Sequence, residues 1–289
     1  MNYLWHILVM INIYIILALS LNLVAGYTGL LSLCHAAFYG IGAYATTLLM
    51  MKADWGFFPS LFIAILLTAA LSLIIAVPSL RFKGDYFVLA TLGFQIIIFV
   101  ILYNWVSLTR GPYGIPGIPI PKVCGIEMST VFRYFLFSGV IASICGLLLW
   151  MLKASPFGRV LKAIREDEIA AAALGKNVPL LKMAAFTIAA AFAAVPGALF
   201  AGYMRYIDPT SFTLMESVFV ISILIIGGAG SFIGPIVGAV FMVILPEALR
   251  FLHIPDAIAA NMRQIIYGLL LIILMRYRPQ GLFGEYGFE

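Results

Sequence analysis

The sequence predicts an all-α integral membrane protein, a single polytopic helical bundle of about eight or nine transmembrane segments. Hydrophobic residues make up 64% of the 289 residues, and charged residues make up only 10%. Soluble domains carry roughly a quarter charged residues, so this chain has too little polar surface to face water on all sides. The mean hydropathy of +1.10 agrees. The length leaves no room for a separate soluble domain, and we expect residues 1–289 to form one transmembrane domain.

Nine apolar stretches are candidates for these segments, since a transmembrane helix needs about 20 mostly apolar residues. The first stretch lacks the positively charged start of a cleavable signal, so we expect it to form the first membrane helix. The two stretches after residue 211 are short and are separated by a glycine-rich break from Gly227 to Pro235. The pattern leaves open whether these two cross fully or re-enter. The stretches are 4–23, 30–50, 60–78, 86–104, 134–152, 183–202, 212–226, 235–249 and 264–275.

The distribution of Lys and Arg predicts the orientation of the chain. The larger share of the 17 Lys and Arg residues falls in loops on one side, including the polar segment 153–182 and the C-terminus. Because positively charged loops favour the cytoplasm, we expect both to be cytoplasmic and the N-terminus to be outside. The net charge of +5 is then a consequence of topology. No nucleic-acid motif is present in the sequence, so nucleic acid is not expected as a partner.

Residues 105–132 form a loop that is dense in glycine and proline from Arg110 to Pro121. That composition excludes a regular helix, and the loop is too apolar for a free linker. We therefore expect an ordered loop on the outer side of the membrane, called the Gly/Pro loop below. Two interpretations stand: the loop contacts a partner that delivers substrate, or it is a rigid connector without such a contact.

The polar segment 153–182, called the coupling loop below, lies between two apolar stretches and carries strong helix signals. Ser155 followed by Pro156 predicts the start of a helix. Asp167 predicts the cap of a second short helix from 168 to 174, and Gly175 predicts its end.

This second helix is the candidate docking element for a separate cytosolic protein. Its four consecutive alanines give a smooth surface suited to a groove on a partner, with Ala171 and Ala172 expected to face that groove. The charged residues before it would supply polar contacts at the rim. The alternative is an amphipathic helix that lies on the membrane surface. The candidate coupling residues are Arg165, Glu166, Asp167, Glu168, Ala170, Ala171, Ala172, Gly175 and Asn177.

Several blocks of the sequence resemble the permeases of branched-chain amino-acid ABC importers. Residues 168–175, EIAAAALG, are similar to the cytoplasmic EAA…G signature of ABC importer permeases, although Ile169 interrupts the Glu-Ala-Ala order. Cys34 is a second departure, since the family more often has glycine there. Residues 84–93 and the Gly/Pro loop look closer to the M-type permease than to its H-type partner. The other matching blocks are 22–44, 157–168, 174–178, 182–186, 227–235 and 278–284, so the resemblance covers the chain from end to end.

The resemblance implies a permease subunit, not an enzyme, in the inner membrane of a bacterial or archaeal cell. It implies a heterodimer with a homologous permease, two cytosolic ABC ATPase subunits and an extracytoplasmic substrate-binding protein. The ATPases would bind ATP and Mg²⁺, and this chain would bind no cofactor. Its sequence lacks the phosphate-binding pattern GxxxxGK(S/T). The implied cargo is leucine, isoleucine or valine, whereas related systems carry other amino acids, short amides or urea.

Two glycine-interrupted regions are candidates for the translocation path. Paired interruptions in the two halves of a transporter point to its path, and here they indicate a weak inverted repeat. The alternative is that the glycines only permit close helix packing. His35 lies well inside an apolar stretch. It is either a functional group or a neutral histidine bonded to a neighbouring helix. The candidate path residues are Gly29, Ser32, His35, Gly40, Gly42, Gly227, Gly228, Gly230 and Gly234.

Other classes of membrane protein fit the sequence less well. An ion-coupled secondary transporter, the main alternative from another class, usually needs buried carboxylates. Asp85, Glu216 and Glu247 are instead expected near the ends of spans, where water reaches them. A membrane-embedded enzyme needs a convergent catalytic set, and the three histidines are scattered. A channel would leave the coupling loop without a role.

Overall fold

The computed structural model describes residues 2–82, 84–123 and 125–250, together with 266, 268, 269, 272, 273, 276–278 and 280–284. The ninth apolar stretch, 264–275, therefore lies mostly outside the described residues.

Helices make up most of the described part of the chain. A π-helical turn, Asn22–Gly26, continues the first of them. In chain order the helices are α1 (Asn2–Leu21), α2 (His35–Lys52), α3 (Phe57–Ser79), α4 (Asp85–Asn104), α5 (Val106–Thr109), α6 (Val131–Ala154), α7 (Pro156–Glu166), α8 (Glu168–Ala173), α9 (Val178–Met204), α10 (Leu214–Gly227) and α11 (Ile233–Arg250).

Five helical segments within the described residues are long and apolar enough to cross a membrane. α10 and α11 are apolar but shorter. The 14 residues of α10 rise about 21 Å, less than the ~30 Å of a hydrocarbon core. The all-α membrane fold is confirmed, whereas the count of eight or nine segments and the inverted repeat stay predictions. The five segments are Tyr3–Gly26, Phe57–Ser79, Asp85–Asn104, Val131–Ala154 and Val178–Met204.

Helix α2 lies at the centre of the bundle, where it packs mainly against α9 and α3. Every residue from His35 to Thr47 is buried. A Cβ added at Gly42 would lie 2.4 Å from the backbone of Ala194, and one at Gly197 would lie 2.1 Å from the carbonyl oxygen of Tyr39. Glycine at these two positions therefore lets α2 and α9 meet backbone to backbone.

The start of α2 differs from the apolar pattern, which runs continuously from residue 30 to residue 50. The helix begins only at His35, because Gly29 takes a positive φ of 72° and turns the chain out of helical geometry. Residues 29–34 thus form an irregular connection between the π-helical turn and α2.

The Gly/Pro loop is ordered, as expected, and backbone pairing holds it in place. Ile115 pairs with Ile207 in an antiparallel two-stranded sheet that joins the loop to the end of α9. The amides of Gly117 and Ile118 also donate to the carbonyl oxygen of Arg205, at 3.1 and 3.3 Å. The loop contains β1 (Ile115–Pro116), β2 (Lys122–Val123) and β3 (Ile126–Glu127). Strand β1 pairs with β4 (Tyr206–Ile207), and β2 pairs with β3.

Candidate functional site

The coupling loop folds as two short helices with side-chain caps, as its sequence predicts. The Ser155 hydroxyl accepts a hydrogen bond from the Gly158 amide at 3.3 Å, and Pro156 is the first residue of α7. Asp167 Oδ1 accepts from the amides of Ile169 and Ala170, both at 2.9 Å. These bonds satisfy amides that have no partner within a helix. The cap positions of Ser155 and Asp167 are confirmed.

The far side of the loop is closed by three further contacts. Gly175 takes a positive φ of 78° and ends α8, as predicted. Asn177 Oδ1 accepts from the amide of Leu180 at 3.3 Å and caps α9. Glu168 forms an ion pair with Lys182 at 2.7 Å. In this structure Asp167, Glu168, Gly175 and Asn177 all shape the loop itself.

The two faces of α8 differ sharply in exposure. Ala171 is only 4% exposed and packs in a small cluster with Ile164 and Val178. The expectation that Ala171 faces outward is therefore wrong, because the cluster selects the inner face of α8. On the outer face, Ile169 is 83% exposed and Leu174 is 80% exposed. Ala170, Ala172 and Glu166 are also exposed.

Arg165 does not lie at the rim of the docking face. Its Nη1 donates to the carbonyl oxygen of Ala25 at 3.1 Å and also to that of Gly26. Its aliphatic stem packs beside Gly29, where an added Cβ would lie 3.4 Å from Arg165 Cγ. The side chain thus turns inward because the carbonyls that end the first span lack helical partners and attract a guanidinium.

The π-helical turn that Arg165 contacts is bonded in turn to the glycine-rich break between α10 and α11. Asn22 Oδ1 accepts from the amide of Gly230 at 2.9 Å, and Asn22 Nδ2 donates to the carbonyl oxygen of Ser231 at 2.7 Å. Asn22 is buried, so these bonds satisfy an amide that would otherwise be costly to bury. Sequence reasoning did not select Asn22, although a polar side chain within an apolar stretch is a usable signal.

The C-terminal block 280–284 reaches the same break. The Leu282 amide donates to the carbonyl oxygen of Ile226, and the Phe283 amide donates to that of Gly227, both at 2.9 Å. A Cβ at Gly228 would lie 2.2 Å from the amide nitrogen of Gly284. Three blocks that the sequence singled out, 22–44, 227–235 and 278–284, therefore meet at one place.

The candidate path residues lie mostly inside this packing. All of them except Gly29 are buried. His35 Nε2 is 2.8 Å from the Ser20 hydroxyl, and Gly40 lies under the ring of Phe212, with an added Cβ 2.9 Å from its Cγ. Gly227 and Gly234 meet backbone to backbone. These contacts agree with the close-packing alternative, and the path assignment stays a prediction.

Glu216 lies deeper than the sequence suggested. Tyr14, near the middle of the first span, donates to Glu216 Oε1 at 2.8 Å. The next residue, Ser217, donates to Gln95 Oε1 at 3.4 Å, halfway along α4. The expected position near the end of a span is therefore wrong, because α10 is short and its first turn lies at mid-depth of its neighbours.

The sequence matches the family described as branched-chain amino acid transport system / permease component over residues 3–275. It is 38% identical to the high-affinity branched-chain amino acid transport system permease protein LivM of Escherichia coli (strain K12), over 93% of this chain and 67% of that protein. It is 28% identical to the probable branched-chain amino acid transport permease protein LivM of Methanocaldococcus jannaschii, over 96% of this chain and 92% of that protein. Identity to the LivH permease protein of Escherichia coli (strain K12) is lower, 25% over 94% of this chain and 91% of that protein. No solved structure matches the chain.

The family match spans nearly the whole chain and agrees with the all-helical fold and its apolar spans. Transport permeases are not enzymes. The chain therefore belongs to the family of permease components of branched-chain amino acid transport systems, as a multi-pass membrane permease of an ABC importer.

Proposed function

We propose that this chain is the M-type permease of an ATP-driven importer for branched-chain or related amino acids. It pairs with a homologous permease, and the two form the translocation path together. Two cytosolic ATPases bind ATP and Mg²⁺ and drive the cycle, while this chain holds no cofactor of its own. A binding protein outside the membrane delivers the cargo.

The observation that carries this proposal is the outer face of α8. Ile169 and Leu174 are large apolar side chains in and directly after α8, and each is at least 80% exposed. Exposed apolar side chains that cluster on one face are typical of protein contact sites. The loop is ordered by its own caps, so the face is already formed before a partner binds. We therefore assign the docking contact to Ile169, Ala170, Ala172 and Leu174.

The charge of the same region supports a cytoplasmic position for the coupling loop. Lys153 and Lys162 both lie over the ring of Tyr27, each 5.8 Å from its centre, next to the end of the first span. Positive charge gathered at one end of a bundle favours the cytoplasmic side. The N-terminus would then be outside and the C-terminus cytoplasmic, in the inner membrane of a bacterial or archaeal cell.

The cargo is proposed from the names of the relatives. LivM and LivH are named as branched-chain amino acid permeases. Urea, short amides and other amino acids are the alternatives, because selection in such systems rests largely with the binding protein. Binding measurements on the binding protein encoded with this permease would separate these cargoes.

The test is purification of this chain from its native membrane, with mass spectrometry of the proteins that accompany it. We expect a related permease and two ATPases. The purified complex, placed in proteoliposomes with its binding protein, should take up a branched-chain amino acid only when ATP is supplied on the ATPase side. A chain that purifies alone, in detergents that preserve ABC complexes, would contradict the proposal.

A further inference from the structure

We infer that Arg165 is a positioning residue that connects the coupling loop to both glycine-interrupted membrane segments, and that it takes no part in docking the ATPase. This inference rests on the proposed function. It concerns how movement of the docked loop reaches the membrane helices, so it can fail while the importer assignment holds.

The first connection is between α7 and the end of the first span. Arg165 Nη1 donates to two successive carbonyl oxygens, those of Ala25 and Gly26. A guanidinium is planar and presents donors in a fixed arrangement, so two bonds to one turn fix its orientation as well as its distance. The cation also lies at the negative end of the helix dipole, which strengthens both bonds.

The second connection is between that turn and the break between α10 and α11. Gly26 touches the break directly, because a Cβ there would lie 2.9 Å from the amide nitrogen of Gly230. Asn22, one turn earlier, bonds Gly230 and Ser231 through both ends of its amide group. Gly26 therefore accepts a hydrogen bond from Arg165 and also lies against Gly230.

The break is bonded on two sides, to Asn22 and to the backbone of 282–283. A shift of α7 relative to the bundle would therefore either break the Arg165 bonds or carry residues 22–26 and the break with it. Transmission between sites requires contacts that differ between two arrangements, and we assign that role to the Arg165 bonds.

The coupling loop does not depend on Arg165 for its own folding. Its caps and the cluster of Ile164, Ala171 and Val178 are formed within the loop and the start of α9. The proposed docking residues Ile169 and Leu174 are each at least 80% exposed and lie outside that cluster. Loss of the Arg165 side chain should therefore leave docking intact and remove only the connection to the membrane segments.

The experiment compares wild type, Arg165→Gln and Arg165→Lys in the whole complex, reconstituted with its binding protein. Three quantities are measured: the ATPase subunits retained, the rate of ATP hydrolysis and the ATP hydrolysed per amino acid imported. Arg165→Gln should retain the ATPases and hydrolyse ATP, while the ATP used per amino acid imported rises about tenfold, within the range of typical coupling between sites. Arg165→Lys should be intermediate, because an ammonium group keeps the charge and can donate hydrogen bonds but lacks the planar, fixed donor arrangement of a guanidinium.

Arg159→Gln is the matched control. Arg159 lies on the same helix and is exposed, and the described contacts give its side chain one hydrogen bond, to the nearby Ala154 carbonyl at 3.4 Å. It should leave the ATP used per amino acid unchanged. The inference is overturned if Arg165→Gln loses the ATPases, which would make Arg165 a docking residue, or if it imports with the wild-type ATP cost. If Arg165→Gln fails to insert, the ATP used per amino acid is compared between Arg165→Lys and wild type instead. A wild-type chain that binds no ATPase would instead contradict the proposed function.

Discussion

The coupling loop and the Gly/Pro loop lie at opposite ends of α6 and are ordered in different ways. The coupling loop is held by side-chain caps and a small apolar cluster, all close together in the sequence. The Gly/Pro loop is held by backbone pairing to β4, a segment about ninety residues further along the chain. The first is ordered mainly by short-range contacts and joins the bundle through side chains such as Leu161 and Arg165. The second is ordered by backbone pairing to a distant segment.

The largest expected effect comes from placing charge on the outer face of α8. The double variant Ile169→Glu, Leu174→Glu should weaken ATPase binding by at least about 100-fold, because each large apolar side chain contributes about 1.5–3 kcal/mol when buried. Titration of the purified ATPase onto the permease measures this. Tyr113→Glu is the matched control in the Gly/Pro loop, where Tyr113 is also 80% exposed. Equal loss of ATPase binding in the double variant and in Tyr113→Glu would contradict the assignment of docking to the coupling loop.

An effect of similar size is expected from the inner face of the same helix. Ala171→Glu buries a carboxylate beside Ile164 and Val178 and should destabilise the loop by several kcal/mol. Ala172→Glu, one residue on and exposed, should have little effect on folding. Limited trypsin digestion of the permease without its ATPases measures loop folding directly. Faster cleavage of both variants, or of neither, would contradict the assigned faces.

Removal of one cap tests whether the coupling loop is ordered locally. Asp167→Ala leaves the amides of Ile169 and Ala170 without their acceptor and should cost about 1 kcal/mol. Hydrogen exchange at residues 168–173 should rise about fivefold, and exchange at 115–118 in the Gly/Pro loop should not change. Exchange that rises at both ends of α6 would show that the two loops are not independent.

The smallest effects are expected from breaking an ion pair in each loop, Lys122–Glu127 in the Gly/Pro loop and Glu168–Lys182 in the coupling loop. Glu127→Gln breaks a pair with Lys122 at 3.0 Å whose side chains are 54% and 67% exposed, and should change stability by less than about 0.5 kcal/mol. Glu168→Gln breaks the pair with Lys182, whose side chain is only 14% exposed, and should cost up to about 1 kcal/mol. Thermal unfolding at low and high salt measures both. A larger loss of stability from Glu127→Gln than from Glu168→Gln would contradict this prediction.

Local signals in the sequence were sufficient for the outline of the coupling loop. Ser155, Asp167 and Gly175 act through hydrogen bonds and backbone angles within three residues, so their roles can be derived without knowledge of the fold. The apolar stretches likewise predicted the five long apolar helical segments. Their limits were less certain, since α2 begins at His35 after a connection that is apolar but irregular.

The sequence could not show which way a side chain faces across the fold. Ala171 and Ala172 are chemically identical, and only the position of Val178 on α9 decides which of them is buried. Arg165 resembles its charged neighbours in sequence, yet it contacts carbonyls about 140 residues earlier in the chain. Glu216 is at the start of a helix, and the depth of that start depends on how α10 packs against α1 and α4. These are tertiary relationships.

Because Gly26 contacts Gly230, positions 26 and 230 must stay compatible when segments are exchanged between permeases. A crossover anywhere between residues 27 and 229 takes these two positions from different parents. If the parent that supplies position 26 carried a larger residue, its Cβ would lie 2.9 Å from the amide nitrogen of Gly230 and closer still to the side chain of Asn22. Functional recombinants with a crossover in this interval should therefore come from parents that both carry glycine at position 26.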